Sequence, residues 1–170
     1  MALTFRNVTA SPDDPVTSWP TEAVLTTLER GDLDGLRRIR NAINVDPWGR
    51  TARQVEEVLG HTRPYGVAEL MEAAIAAARA EADAAERAAV ASELRRLVAE
   101  SGLSRADFAR RLGTSRSRLS TYLSGTVVPA ATLMVRARRN TKTPGAAGQT
   151  STGRGARPAT SSSTSRAPNA

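Results

Sequence analysis

The chain has no cysteine in its 170 residues, which excludes disulfides, thiolate metal sites and a cysteine nucleophile and suits a reducing cytosol. Aromatic residues make up 4% against 40% hydrophobic residues, so the chain can build one or two small helical cores with some length to spare. Histidine occurs once, at His61, directly after Gly60, where a loop or helix-cap role is expected rather than metal binding or a catalytic triad. The phosphate-cradling patterns G-x-G-x-x-G and G-x-x-x-x-G-K-[ST] and the zinc pattern H-E-x-x-H are missing, and the carboxylates are spread along the chain. The expectation is therefore a protein that is not an enzyme and needs no cofactor and no metal.

Long apolar runs are also lacking. The N-terminal residues MALTFRNVTASPDDP hold no apolar stretch of signal-peptide length. The alanine-rich region Val67 to Ala91 is broken by Arg79, Glu81, Asp83, Glu86 and Arg87, too many charges for a membrane span. A cytoplasmic protein without membrane contact is expected.

Charge is unevenly placed. Residues 1–89 hold 10 basic and 14 acidic side chains, whereas residues 90–140 hold 10 arginines against Glu93, Glu100 and Asp107. The remaining 30 residues add four positive charges and no acid. A basic segment behind a mildly acidic one suggests a polyanion-binding module joined to a unit that does not touch nucleic acid.

The spacing predicts an all-α chain. Residues 1–17 read as a flexible N-terminus and residues 18–66 as a small helical unit. Ser18-Trp19-Pro20-Thr21 reads as a helix start, with Gly31 as its end. Asp32 or Asp34 opens a second helix with Leu33, Leu36, Ile39 and Ile43 on its buried face, stopping near Asp46. Asp46-Pro47 reads as the start of a third, with Val55, Val58 and Leu59 buried and Gly60 as its end; Trp19 and Trp48 are expected core anchors. Residues 67–91 read as an alanine-rich connecting helix, continuing to Ser101 as one helix or two in series. Residues 140–170, rich in Gly, Ser, Thr, Pro and Ala, read as a disordered basic tail.

The most informative stretch is LSRADFARRLGTSRSRLSTYLSG, residues 103–125. Ser104 and Asp107 form the S/T-x-x-D/E helix start, Phe108, Ala109 and Leu112 an apolar face, and Gly113 the residue suited to a sharp turn. Ser115 caps the next helix, whose Leu119, Tyr122 and Leu123 share one side before Gly125 ends it. Arg116, Ser117, Ser120, Thr121 and Ser124 fall within an arc of roughly 140° on the polar side. Small hydroxyls with an arginine near the helix N-terminus suit a helix lying in the DNA major groove.

With Ala109, Gly113, Ser115, Leu119 and Gly125 in register, the segment resembles the Cro/C1-type (XRE) helix-turn-helix family across residues 92–139. The resemblance implies five packed, lambda-repressor-like helices, with Ser92 to Ser101 as the first, Arg105 to Leu112 the second, Ser115 to Ser124 the recognition helix and Pro129 to Arg139 a later one, the final helix or two being incomplete. It implies base-facing roles for Arg116, Ser117, Ser120 and Thr121, and phosphate-facing roles for Arg105, Ser115, Arg118 and Ser124. Arg105 stands where the family usually has glutamine, and the loop TVVP after the second helix lacks a frequent basic residue. The implied function is sequence-specific binding of double-stranded DNA by a bacterial transcriptional repressor, nucleoid-associated when bound. A homodimer is compatible with this. The alternative is an antitoxin-type interaction protein, whose N-terminal unit binds a partner protein while the helix-turn-helix represses its own operon.

Overall fold

The computed structural model describes residues 9–141. After a 3-10 turn at Val16–Ser18, the helices are α1 (Thr21–Arg30), α2 (Leu33–Val45), α3 (Arg50–His61), α4 (Val67–Glu100), α5 (Arg105–Leu112), α6 (Arg116–Leu123) and α7 (Ala131–Thr141). Among the described residues there is no strand, so the fold is all-α as expected. Among the described residues no helix is long and apolar enough to cross a membrane. The tail expected from residue 140 lies, from residue 142 onward, outside the described residues.

The first core joins α1, α2, α3 and the start of α4 through Val24, Leu28, Leu36, Ile39, Ile43, Val55, Met71 and Ile75, all buried. Asp32 caps α2 by accepting a hydrogen bond from the Gly35 N–H at 2.7 Å. A Cβ at Gly35 would come within 2.5 Å of Thr27 Cγ2, so the missing side chain lets α2 close on α1. Trp19 is fully buried; its indole N–H donates to the Asp14 carbonyl at 3.1 Å, and its own carbonyl accepts from Gln54 Nε2 at 3.0 Å. The Arg38 guanidinium lies 5.1 Å from the centre of the indole ring and donates to the carbonyls of Pro12 and Asp14. Arg38 and Trp19 thus fasten the segment before α1 onto α2 and α3.

Several local expectations are corrected. Ser18 does not cap α1: Pro20 holds that place, and Ser18 Oγ donates to the Pro15 carbonyl inside the 3-10 turn. Leu33 is 74% exposed. At about 100° per residue it points roughly 100° away from the mean direction of Gly35, Leu36, Ile39 and Ile43. Asp46-Pro47 opens a turn rather than α3: the Gly49 N–H closes it on the Asp46 carbonyl at 3.1 Å, and Gly49 becomes the N-cap. Trp48 sits in that turn and is 43% exposed, so it is not a core anchor. Gly60 lies inside α3, which runs through His61 to a Thr62 cap, so His61 is helical and not in a loop. Pro64 supplies the stop, because it disfavours helical backbone at the residue before it.

From Val67 to Glu100 there is no proline or glycine, and one continuous helix forms, 34 residues and about 50 Å long. Its beginning buries Ala68, Met71, Ile75 and Ala78 in the first core, and its end buries Ala91, Leu94 and Leu97 on the side of α5 to α7. Residues 83–89 between them are all exposed. The second core adds Phe108, Ala109, Leu112, Leu119, Tyr122, Leu123, Leu133, Met134 and Ala137. The described residues contain four of the five helices implied for this part, the first being the end of α4; the fourth begins at Ala131 rather than Pro129.

Candidate nucleic-acid interface

The interface is built from three capping events. At the first, Ser104 Oγ accepts from the Asp107 N–H at 3.1 Å and donates to the Asp107 carboxylate at 2.6 Å. This hydrogen bond, with the nearby charge of Arg110, holds the Asp107 carboxyl below its usual range. A depressed carboxyl pKa stabilises the fold above the ordinary carboxylate range, and that contribution is lost as pH falls through the lowered value. Because Ser104 is the N-cap of α5, Ser104→Ala is expected to cost about 1 kcal/mol at neutral pH. Thermal melts should show the gap from the parent protein narrowing on acidification; a gap that widens would contradict the assignment.

At the second, Gly113 adopts left-handed backbone with φ 72°, and the N–H groups of Gly113 and Thr114 close α5 on the carbonyls of Arg110 and Ala109. A side chain there would be strained, so glycine is what permits a turn of only Gly113, Thr114 and Ser115. At the third, Ser115 Oγ accepts from the Arg118 N–H at 3.1 Å and starts α6. Leu119, Tyr122 and Leu123 face the core, with α6 packed on α5 and α4.

The outward face of α6 presents Arg116, Ser117 and Ser120, all exposed. Thr121 flanks them, half-buried, with its hydroxyl donating to the Arg118 carbonyl at 2.8 Å. Arg105 is exposed at the first position of α5. The other expected phosphate-facing residues have partners within the domain. Ser115 serves as the cap, and Arg118 Nε donates to the Tyr122 hydroxyl at 2.9 Å, which lays its stem along the helix. Ser124 Oγ donates to the Thr121 carbonyl at 3.0 Å and lies 2.8 Å from Thr126 Oγ1.

Sequence reading missed the contacts that fix the end of α6. Arg95 of α4 donates to the Leu123 carbonyl at 2.6 Å, placing a cation at the C-terminus of α6, where the helix dipole favours it. Gly125 follows, and a Cβ there would lie 3.6 Å from Ala91 Cβ, so the chain leaving α6 passes directly over α4. Arg95 and Leu123 are 28 residues apart, a separation at which no local spacing pattern gives a signal.

Residues 89–147 match a protein-family model described as a helix-turn-helix domain. Comparison with curated proteins and with solved structures gives no match. Residues 89–147, which take in the end of α4 together with α5, α6 and α7, are thus similar to a helix-turn-helix domain.

Proposed function

We propose that this protein is a bacterial transcriptional regulator of the Cro/C1 type, acting as a repressor, which binds double-stranded DNA sequence-specifically through α6. The observation that carries this reading is the outward face of α6. Arg116, Ser117 and Ser120 stand exposed on a helix whose other side is buried, whose start is capped by Ser115 and whose end is tied to α4 by Arg95. Arginine can grip a guanine edge with two hydrogen bonds, and short hydroxyl side chains let the helix axis lie close to the bases. Thr121 completes the base-facing set. Arg105 and the free N–H groups of Arg118 face phosphates, Ser115 has its hydroxyl hydrogen to donate, and Ser124 must release the Thr121 carbonyl to take part.

Selection of bound sequences from a random duplex library at physiological salt tests this. The intact protein should enrich one motif, and the Arg116→Ala, Ser117→Ala double variant should lose it. On the selected site Arg116→Ala should cost about 1 to 3 kcal/mol and relax preference at one base pair. Arg105→Ala should weaken all sequences alike and flatten the salt dependence. Equal, sequence-blind losses from both would reject these roles.

A further inference from the structure

The outer side of the first core carries a groove between α1 and α3. The two helices run in the same sense, with Thr21 beside Gln54 at one end and Glu29 and His61 at the other. The groove has a volume of about 310 Å³, with Leu25 and Val58 in its floor and Glu22, Glu29 and Glu57 along its walls. These three carboxylates meet no cation among the described residues. On the α3/α4 side, by contrast, Glu56 is paired with Arg79 and Glu72 with Arg63, each through two hydrogen bonds. The groove therefore combines an apolar floor with uncompensated negative charge.

Helix α7 offers the complement. Its inner face is used by Leu133, Met134 and Ala137 in the second core, while Ala131, Val135, Arg136 and Arg139 share its exposed side. Val135 is 43% exposed, and Val128 in the preceding loop 52%. Arg138 is held by Glu93, but Arg136 and Arg139 have no acidic partner among the described residues. The helix is 11 residues long against 10 for α1, so the lengths of helix and groove agree.

Within one copy the two surfaces cannot meet. The groove belongs to the core at the beginning of α4, α7 is tied to its end by Glu93 and Arg138, and the unbroken helix separates them. We infer that the exposed side of α7 in one copy docks into the α1/α3 groove of a second copy. Val135 and Ala131 cover Leu25 and Val58, and Arg136 and Arg139 stand opposite Glu22, Glu29 and Glu57. The two surfaces differ, so the contact is head-to-tail; each copy keeps one of each free, and association continues beyond a pair unless a ring closes. A patch of this size makes a weak, salt-sensitive contact. None of this depends on DNA binding.

Sedimentation velocity on the full chain without DNA tests the inference. At low salt the average mass should rise past that of a dimer with concentration, and high salt should suppress the rise. The charge reversals Glu22→Lys, Glu29→Lys, Glu57→Lys in one variant and Arg136→Glu, Arg139→Glu in another lie at exposed positions. Each variant alone should stay monomeric with an unchanged helical circular dichroism spectrum. An equimolar mixture should associate again, because each reversed surface finds its complement on the other variant. A parent protein that is monomeric throughout, association that survives either reversal, or a mixture that fails to reassociate would each overturn the proposal.

Discussion

Replacing Phe108 by alanine is expected to unfold the second core and abolish DNA binding while the first core stays folded. Phe108 is fully buried among Leu94, Leu97, Leu112 and Leu119, and it is the only phenylalanine of that cluster. Truncating a buried phenylalanine costs about 3 to 5 kcal/mol, which approaches the whole stability of a small domain. Hydrogen exchange measured along the chain should show protection lost across α5, α6 and α7 and retained in α1, α2 and α3. Loss of protection across both cores together would mean that the two fold as one unit, against this expectation.

Trp19→Ala is the reciprocal case. The side chain is fully buried, its N–H is bonded to the Asp14 carbonyl, and Arg38 lies over its ring, so truncation removes packing and loosens the clasp on the segment before α1. About 3 to 5 kcal/mol is again expected, now in the first core. Exchange protection should fall in α1 and α3 and remain in α5 and α6, and affinity for a selected DNA site should change little. The remaining Trp48, 43% exposed, would report the loosening by its fluorescence. Unaltered protection in α1 would show that the indole is not central to that core.

Reading the sequence succeeded where structure is decided within a few residues. The caps of α5 and α6 were legible because Ser104 and Ser115 each satisfy an N–H three residues on, and that of α2 to within two candidates, Asp32 and Asp34, of which Asp32 is the one used. The turn at Gly113 was legible because few other residues accept its backbone. Reading failed where two local rules competed. Asp46-Pro47 satisfies a helix-start rule and a turn rule equally, and the structure uses the turn. Gly60 satisfies a helix-end rule, but Pro64 sets the actual boundary. Leu33 fits the spacing of a buried stripe yet lies about 100° from the direction in which α2 is buried, and that direction is set by the packing of α1, α3 and α4 around it.

The interface divides along the same line. The outward set Arg116, Ser117 and Ser120 follows from helical periodicity alone. What holds that face in place does not: Arg95 reaches Leu123 from another helix, and Gly125 yields space to Ala91. The turning of Arg118 onto Tyr122 depends on a rotamer choice that periodicity leaves open.

The exposed stretch of α4 at residues 83–89 touches neither core, so its composition is free but its count is not. Every residue along a helix advances its axis by about 1.5 Å and turns it by about 100°. The stretch therefore acts as a shaft whose residue number sets the azimuth of one head relative to the other. Exchange of one alanine for another helix former leaves that phase untouched, whereas loss of a single residue swings the outward face of α6 more than a quarter turn about the axis.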